Sequence, residues 1–83
     1  MNSKQAKELY DKGDYANLVE LMKTTENLED LKLGSYLNKV FAGFESKLQY
    51  EMIAEILILF AKSKKIVYKY EMKEGIKTLL AHQ

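Results

Sequence analysis

The chain has 83 residues, of which 47% are hydrophobic and 30% charged, with no cysteine and no proline. This length allows a single domain, 1–83, with a modest core, and the composition indicates a globular rather than a disordered protein. The lack of cysteine excludes a disulfide framework and cysteine-based zinc or redox sites. It also fits a cytoplasmic protein better than a secreted one.

The charges are unevenly distributed, although the net charge is only +1. Residues 1–31 hold four lysines against seven carboxylates, whereas residues 32–83 hold nine lysines against five carboxylates. Every basic residue is a lysine, which lacks the planar fork that arginine uses to read bases and to bind carboxylates. The C-terminal part of the chain is therefore the basic part.

The N-terminal third predicts two helices joined by a glycine turn. The first helix is expected from Lys4 to Lys12 with Ser3 as its N-cap, and Gly13 suits the left-handed position that follows a helix. Asp14 can cap the second helix, because its carboxylate accepts from free backbone N–H groups. One apolar face runs along the second helix, formed by Tyr15, Leu18, Val19 and Met22.

The stretch "AKELYDKGDYANLVELM" (6–22) resembles the turn between the two helices of a tetratricopeptide repeat. The match covers half a repeat, and no second copy follows at the period of about 34 residues. An ordinary helical hairpin explains the same pattern, since solenoids need three or more repeats. The residues in matching positions are Ala6, Leu9, Tyr10, Gly13, Asp14 and Tyr15.

A third helix is expected to begin at Asn27, with Glu29 and Asp30 in its first turn, where the helix dipole favours acids. Gly34-Ser35 either bends or breaks this helix, and the pattern leaves both open. After Leu28 and Leu31 comes an apolar stripe at helical spacing. It is formed by Leu33, Leu37, Val40, Phe41, Phe44 and Leu48.

A fourth helix, over about 49–64, is apolar nearly all round, which is typical of the central helix of a bundle. The surplus apolar surface could instead form a homodimer face. The longest apolar run, 52–61, is about half the length needed to span a bilayer. The apolar residues are Met52, Ile53, Ile56, Leu57, Ile58, Leu59 and Phe60.

The stretch "SKKIVYKYEMK" (63–73) alternates lysines with apolar and aromatic residues. A strand would need a pairing partner, and no second candidate strand exists in the chain. We interpret the stretch as a corner, in which the fourth helix ends near Lys65, Ile66 enters the core and a last helix begins at 68–70. Lysines there complement the dipole and the free carbonyls of the fourth helix.

The last helix carries an apolar stripe at helical spacing and ends at His82, which is expected to be frayed. Together the segments predict an all-α fold, a small antiparallel bundle of four to five helices. The stripe is formed by Met72, Ile76, Leu79 and Leu80.

Catalytic and metal-binding patterns are sparse, so the chain is expected to be no enzyme and to need no cofactor or metal. The single histidine is His82, and the four glycines are isolated, which leaves no triad and no phosphate-binding loop. Glu51 and Glu55 share a helix face, as acid–base pairs sometimes do, but nothing marks them as buried, so a solvated helix edge is the favoured interpretation.

The corner and the start of the last helix are the predicted partner-binding surface. Tyrosines among lysines can stack on or bind a partner, yet Glu71 and Glu74 interrupt the patch and make nucleic acid an unlikely target. The predicted site residues are Lys62, Lys64, Lys65, Tyr68, Lys69, Tyr70 and Lys73.

Two stretches, "SKQAKELYDK" and "ILILFAKSKKIVYKYEMKEGIKTLL" (56–80), resemble the immunity proteins that protect producers of pediocin-like (class IIa) bacteriocins. The resemblance covers under half of the chain, and the extended C-terminal tail of that family is missing. It implies a cytosolic four-helix bundle that recognises a bacteriocin-bound sugar transporter at the inner membrane face, without crossing the membrane. The matching positions are Lys65, Ile66, Tyr68, Glu74, Ile76 and Leu79.

Two other functions fit the same features. The chain could be a phage- or virus-type effector that binds and inhibits a host protein, as a homodimer through the fourth helix. It could also be a nucleic-acid-associated regulator that uses the lysine-rich corner.

Overall fold

A computed structural model describes residues 2–63 and 68–82. Within these ranges the chain is helical and contains no strand, so the predicted all-α bundle is confirmed. No helix in the described part is long and apolar enough to cross a membrane. The elements are α1 (Asn2–Asp11), α2 (Tyr15–Thr24), a 3₁₀ turn (Leu28–Leu31), α3 (Leu37–Ser46), α4 (Tyr50–Ala61) and α5 (Lys69–Leu80).

The predicted glycine turn joins α1 to α2. Gly13 has a φ of +72°, and its N–H donates to the carbonyl of Tyr10 at 3.0 Å. The N–H of Asp14 donates to the carbonyl of Leu9 at 2.9 Å, which completes a Schellman ending. The Asp14 carboxylate then accepts from the backbone N–H of Asn17 at 3.3 Å. Both roles assigned from the sequence, at Gly13 and Asp14, are confirmed.

Two predicted helix ends are wrong by a few residues. Ser3 is no N-cap, because the chain is already helical from Asn2 and Ser3 lies inside the first turn. α4 ends at Ala61 rather than at 64, since the chain turns at Ser63, whose N–H donates to the carbonyl of Phe60 at 3.2 Å. Residues 64–67, which include the predicted core anchor Ile66, lie outside the described residues.

The expected third helix is broken into two elements. The Asn27 side chain accepts from the N–H of Glu29 at 3.3 Å, as a cap should, but it begins only a 3₁₀ turn. Lys32 stops that turn because its φ of +52° is left-handed and cannot continue a right-handed helix. The chain turns again through 34–36 before α3 begins. The open question at Gly34-Ser35 is therefore answered by a break.

Helices α2, α3 and α4 pack against one another and form the centre of the bundle. α1 covers α2 and the 3₁₀ turn, while α5 covers α3 and α4. Every buried side chain in the described part is apolar. The core contains Ala6, Leu18, Val19, Met22, Leu28, Leu31, Leu33, Leu37, Val40, Phe41, Phe44, Ile53, Ile56 and Phe60.

α4 is central, as predicted, but it is not buried on all sides. It contacts α2, α3 and α5, and it buries one strip formed by Ile53, Ile56 and Phe60. Ile58 points away from that strip and is 51% exposed. The apolar character of this helix therefore exceeds what the bundle itself covers.

Three residues predicted in buried stripes are exposed instead. Leu48 is 73% exposed because α3 ends at Ser46 and Leu48 lies in the following turn with a φ of +59°. Ile76 and Leu80 are 49% and 58% exposed. α5 approaches the bundle through Gly75, which is buried, and this contact directs Ile76 and Leu80 outward.

Two isoleucines of α4 provide a matched test of this packing. Ile56→Ala removes a fully buried side chain and should lower the free energy of unfolding by roughly 2–5 kcal/mol. Ile58→Ala removes a half-exposed side chain of the same type and should cost less than about 1 kcal/mol. Urea denaturation of both variants measures the difference. Equal losses would contradict the assigned orientation of α4.

Candidate functional site

The structure separates the predicted site residues into different environments. Lys64 and Lys65 lie outside the described residues. The other five follow α4 or begin α5, yet one of them turns inward, one borders a cleft and three face solvent. The inward residue is Tyr68, the cleft residue is Lys62 and the exposed residues are Lys69, Tyr70 and Lys73.

Tyr68 anchors the start of α5 to the bundle. Its backbone is left-handed, with a φ of +56°, and it occupies the N-cap position without a capping side-chain bond. Its ring packs edge-on against Phe60, with centroids 5.7 Å apart. The same ring covers Gly34, where a Cβ would lie 2.8 Å from a Tyr68 ring carbon. Tyr68 therefore has a structural role. From the sequence we predicted it as a partner-binding residue and not as a packing residue.

Lys62 lies beside a cleft of about 820 Å³ between the 3₁₀ turn and the end of α4. The cleft has an apolar side, which includes Met22, Leu28 and Leu59. Three carboxylates also line it, and they place negative charge beside the basic corner. A phosphate backbone would meet these carboxylates, which disfavours the nucleic-acid interpretation at this end. The three carboxylates are those of Glu26, Glu29 and Asp30.

Lys69, Tyr70 and Lys73 form the accessible part of the predicted site. Tyr70 is 84% exposed, the largest exposure among the bulky hydrophobic side chains of the described part. No ion pair joins Lys69 or Lys73 to a carboxylate among the described residues. Among the described residues, Lys69 and Lys73 therefore have no ion pair that must break before they contact a partner.

Glu55 takes part in a lysine-centred network. The ammonium of Lys23 lies 2.9 Å from Glu20 and 3.2 Å from Glu55, so it joins α2 to α4. The hydrogen bonds that the Lys23 ammonium donates to these two carboxylates, that of Glu20 first, raise the pKa of Lys23 above its usual value. Glu51 is exposed. The Glu51 and Glu55 carboxylates thus have different surroundings, which favours the solvated-edge interpretation over an acid–base pair.

His82 is held in a cluster that the sequence did not predict. Its Nε2 lies 3.2 Å from a carboxylate oxygen of Glu45, and its Nδ1 lies 3.1 Å from the hydroxyl of Tyr50. The rings of His82 and Tyr50 are 4.4 Å apart. The prediction that His82 is frayed did not include these contacts, and it stays a prediction. The contacts span 32 and 37 positions, so no local pattern signals them.

Comparisons with known proteins give this surface no assignment: no family model, no curated protein and no solved structure matches the chain. In the part of the chain that the structure describes, no three histidine, cysteine or acidic side chains are grouped so as to hold a metal ion. The resemblance to bacteriocin immunity proteins stays a prediction.

A double-mutant cycle tests the anchor at Tyr68. Gly34→Ala places a Cβ within 2.8 Å of the Tyr68 ring and should lower the free energy of unfolding by roughly 1–3 kcal/mol. In a Tyr68→Ala background the obstructing ring is gone, so the same change should cost less than about 0.5 kcal/mol. Chemical denaturation of the four proteins measures the coupling. An equal cost in both backgrounds would show that the ring does not lie over Gly34.

His82→Ala tests the cluster at the end of α5. The loss of the stacked ring and its two polar contacts should reduce stability by about 1 kcal/mol, because the groups are partly exposed. Hydrogen exchange should speed up mainly in the last turn of α5. Leu80→Ala, in the same turn but exposed, is the control. Unchanged exchange in the last turn of the His82 variant would contradict the contact.

Proposed function

We propose that this chain is a non-enzymatic binding protein that protects a bacterial cell against a pediocin-like bacteriocin. It acts in the cytosol and binds a protein target at the inner face of the membrane. The observation that carries the proposal is the exposed surface at the start of α5. There Tyr70 lies between two lysines that form no ion pair with any described residue. This surface falls within the stretch that resembles the immunity proteins.

The chemistry of this surface suits recognition of a protein. Tyrosine supplies a large contact area with one polar tip, and it loses little side-chain conformational entropy on binding. Lys69 and Lys73 add positive charge that can steer an acidic target toward the site. α5 is seated on α3 and α4, so the three side chains are presented from a packed helix rather than from a loop.

The core supports binding rather than chemistry. No polar or charged side chain is buried among the described residues. Enzymes commonly shift the pKa of catalytic groups by burying them away from water. The described part offers no such group. The pKa of Lys7, beside Asp11, and that of Lys23, beside Glu20 and Glu55, are raised, but all of these side chains are substantially exposed.

A survival assay tests the proposal. The chain is expressed in a sensitive bacterial strain, which is then challenged with a panel of class IIa bacteriocins. We expect survival to rise against at least one of them, and Tyr70→Ala and Lys73→Gln to reduce that survival at least tenfold. Lys4→Gln, which removes an exposed lysine on α1, is the matched control and should protect like the parent chain.

If the chain protects against no member of the panel, the proposed role is overturned. Growth arrest on expression, together with specific capture of a host protein, would overturn it in favour of the effector alternative. Circular dichroism of each variant separates a lost surface from a lost fold.

A further inference from the structure

α5 presents a mixed basic and apolar face to solvent. Lys69, Lys73, Ile76 and Leu80 follow at spacings of four, three and four residues, so they form one row along the helix. All four are exposed, with Ile76 at 49% and Leu80 at 58%. The bundle itself therefore leaves this row uncovered.

The neighbouring charges leave this face positive. Lys77 and Tyr70 lie next to the row, and Lys77 contacts Glu74 at 3.4 Å through side chains that are both more than half exposed. Glu71, the other carboxylate of α5, is half-buried. Because Lys69 and Lys73 have no carboxylate partner in the described part, the face keeps a net positive charge.

Exposed apolar residues continue beside α5. Leu57 reaches within 3.2 Å of the Cβ position of Gly75, so α4 lies against the middle of α5. The next residue of α4, Ile58, is 51% exposed. The ring contact between Tyr50 and His82 brings the turn before α4 to the C-terminal end of α5. All large exposed hydrophobic side chains of the described part belong to this half of the chain: Leu48, Ile58, Tyr70, Ile76 and Leu80.

A second copy of the chain is a poor occupant for this face. A two-fold contact through α5 would bring like charges close together, because Lys69, Lys73 and Lys77 extend from the start of the helix to its last third. Glu74 could offset only part of the repulsion, and it already pairs with Lys77. The cleft described above is elsewhere, between the 3₁₀ turn and the end of α4, so it offers no recess in which a second copy could seat this row.

We infer that this face of α5 docks on a membrane surface rich in anionic lipids. Lysine ammonium groups meet the headgroups, while their methylene stems and the side chains of Ile76 and Leu80 enter the boundary with the acyl chains. Tyr70 is suited to the same boundary, because one end of its ring is apolar and the other is polar. This inference goes beyond the proposed protection against a bacteriocin, because it assigns Lys69, Tyr70 and Lys73 a lipid contact in addition to the protein target proposed at the same membrane face. It is tested without any bacteriocin.

Vesicle sedimentation with the purified full chain tests the inference. We expect binding to vesicles of equimolar phosphatidylglycerol and phosphatidylcholine, no binding to pure phosphatidylcholine, and a decrease with rising salt. The double variant Lys69→Gln/Lys73→Gln should weaken binding by roughly tenfold or more. The double variant Lys4→Gln/Lys12→Gln on α1 changes the net charge equally and should bind like the parent chain.

The apolar part of the face is tested with Ile76→Ser and Leu80→Ser, which should each weaken vesicle binding by several-fold without loss of helix content. Equal loss in both lysine variants would show a nonspecific charge effect and overturn the site. Absence of binding to anionic vesicles would also overturn it. The inference would also be overturned if light scattering showed a dimer that Ile76→Lys dissociates, because a second copy would then cover the face. Survival in the bacteriocin assay is read separately, so either proposal can fail alone.

Discussion

The contact of Gly75 with Phe41 and Leu57 decides how the C-terminal half of the molecule is arranged. A Cβ at Gly75 would lie 3.1 Å from two ring carbons of Phe41 and 3.2 Å from a methyl carbon of Leu57. With any other residue at this position, the side chains of Phe41 and Leu57 would have to move by a few tenths of an ångström, so glycine allows the close approach of α5 to α3 and α4. The close approach sets which side of α5 is buried, and it therefore sets which side carries the exposed lysines and apolar residues.

The two ends of α5 are secured by contacts from distant parts of the chain. At its start, the ring of Tyr68 lies between Gly34 and Phe60. At its end, His82 meets Glu45 and the ring of Tyr50. With both ends and the middle attached, α5 is a fixed platform, and a surface on it can be complementary to a target without ordering a loop first.

Positive charge is separated from negative charge within this small bundle. The three carboxylates at 26–30 border the cleft near Lys62, whereas the outer face of α5 has lysines without a described carboxylate partner. The predicted partner-binding residues thus lie in separate places: Lys62 borders the cleft, whereas Lys69, Tyr70 and Lys73 lie on α5. The residues on α5 support both proposals. The core is wholly apolar in the described residues, so their polar and charged groups lie at the surface or are partly exposed.

The sequence by itself determined the helical class, the Gly13–Asp14 turn, the start of a helical element at Asn27 and the central place of α4, because caps and apolar periodicity depend on residues a few positions apart. Only the tertiary structure decided that the third helix is broken, that Tyr68 faces inward and that Ile76 faces outward. These outcomes depend on contacts between residues more than thirty positions apart, such as Gly34 with Tyr68 and Phe41 with Gly75. Local periodicity predicted Ile76 on the buried side of α5. The close contact at Gly75 instead orients the helix so that Ile76 faces solvent.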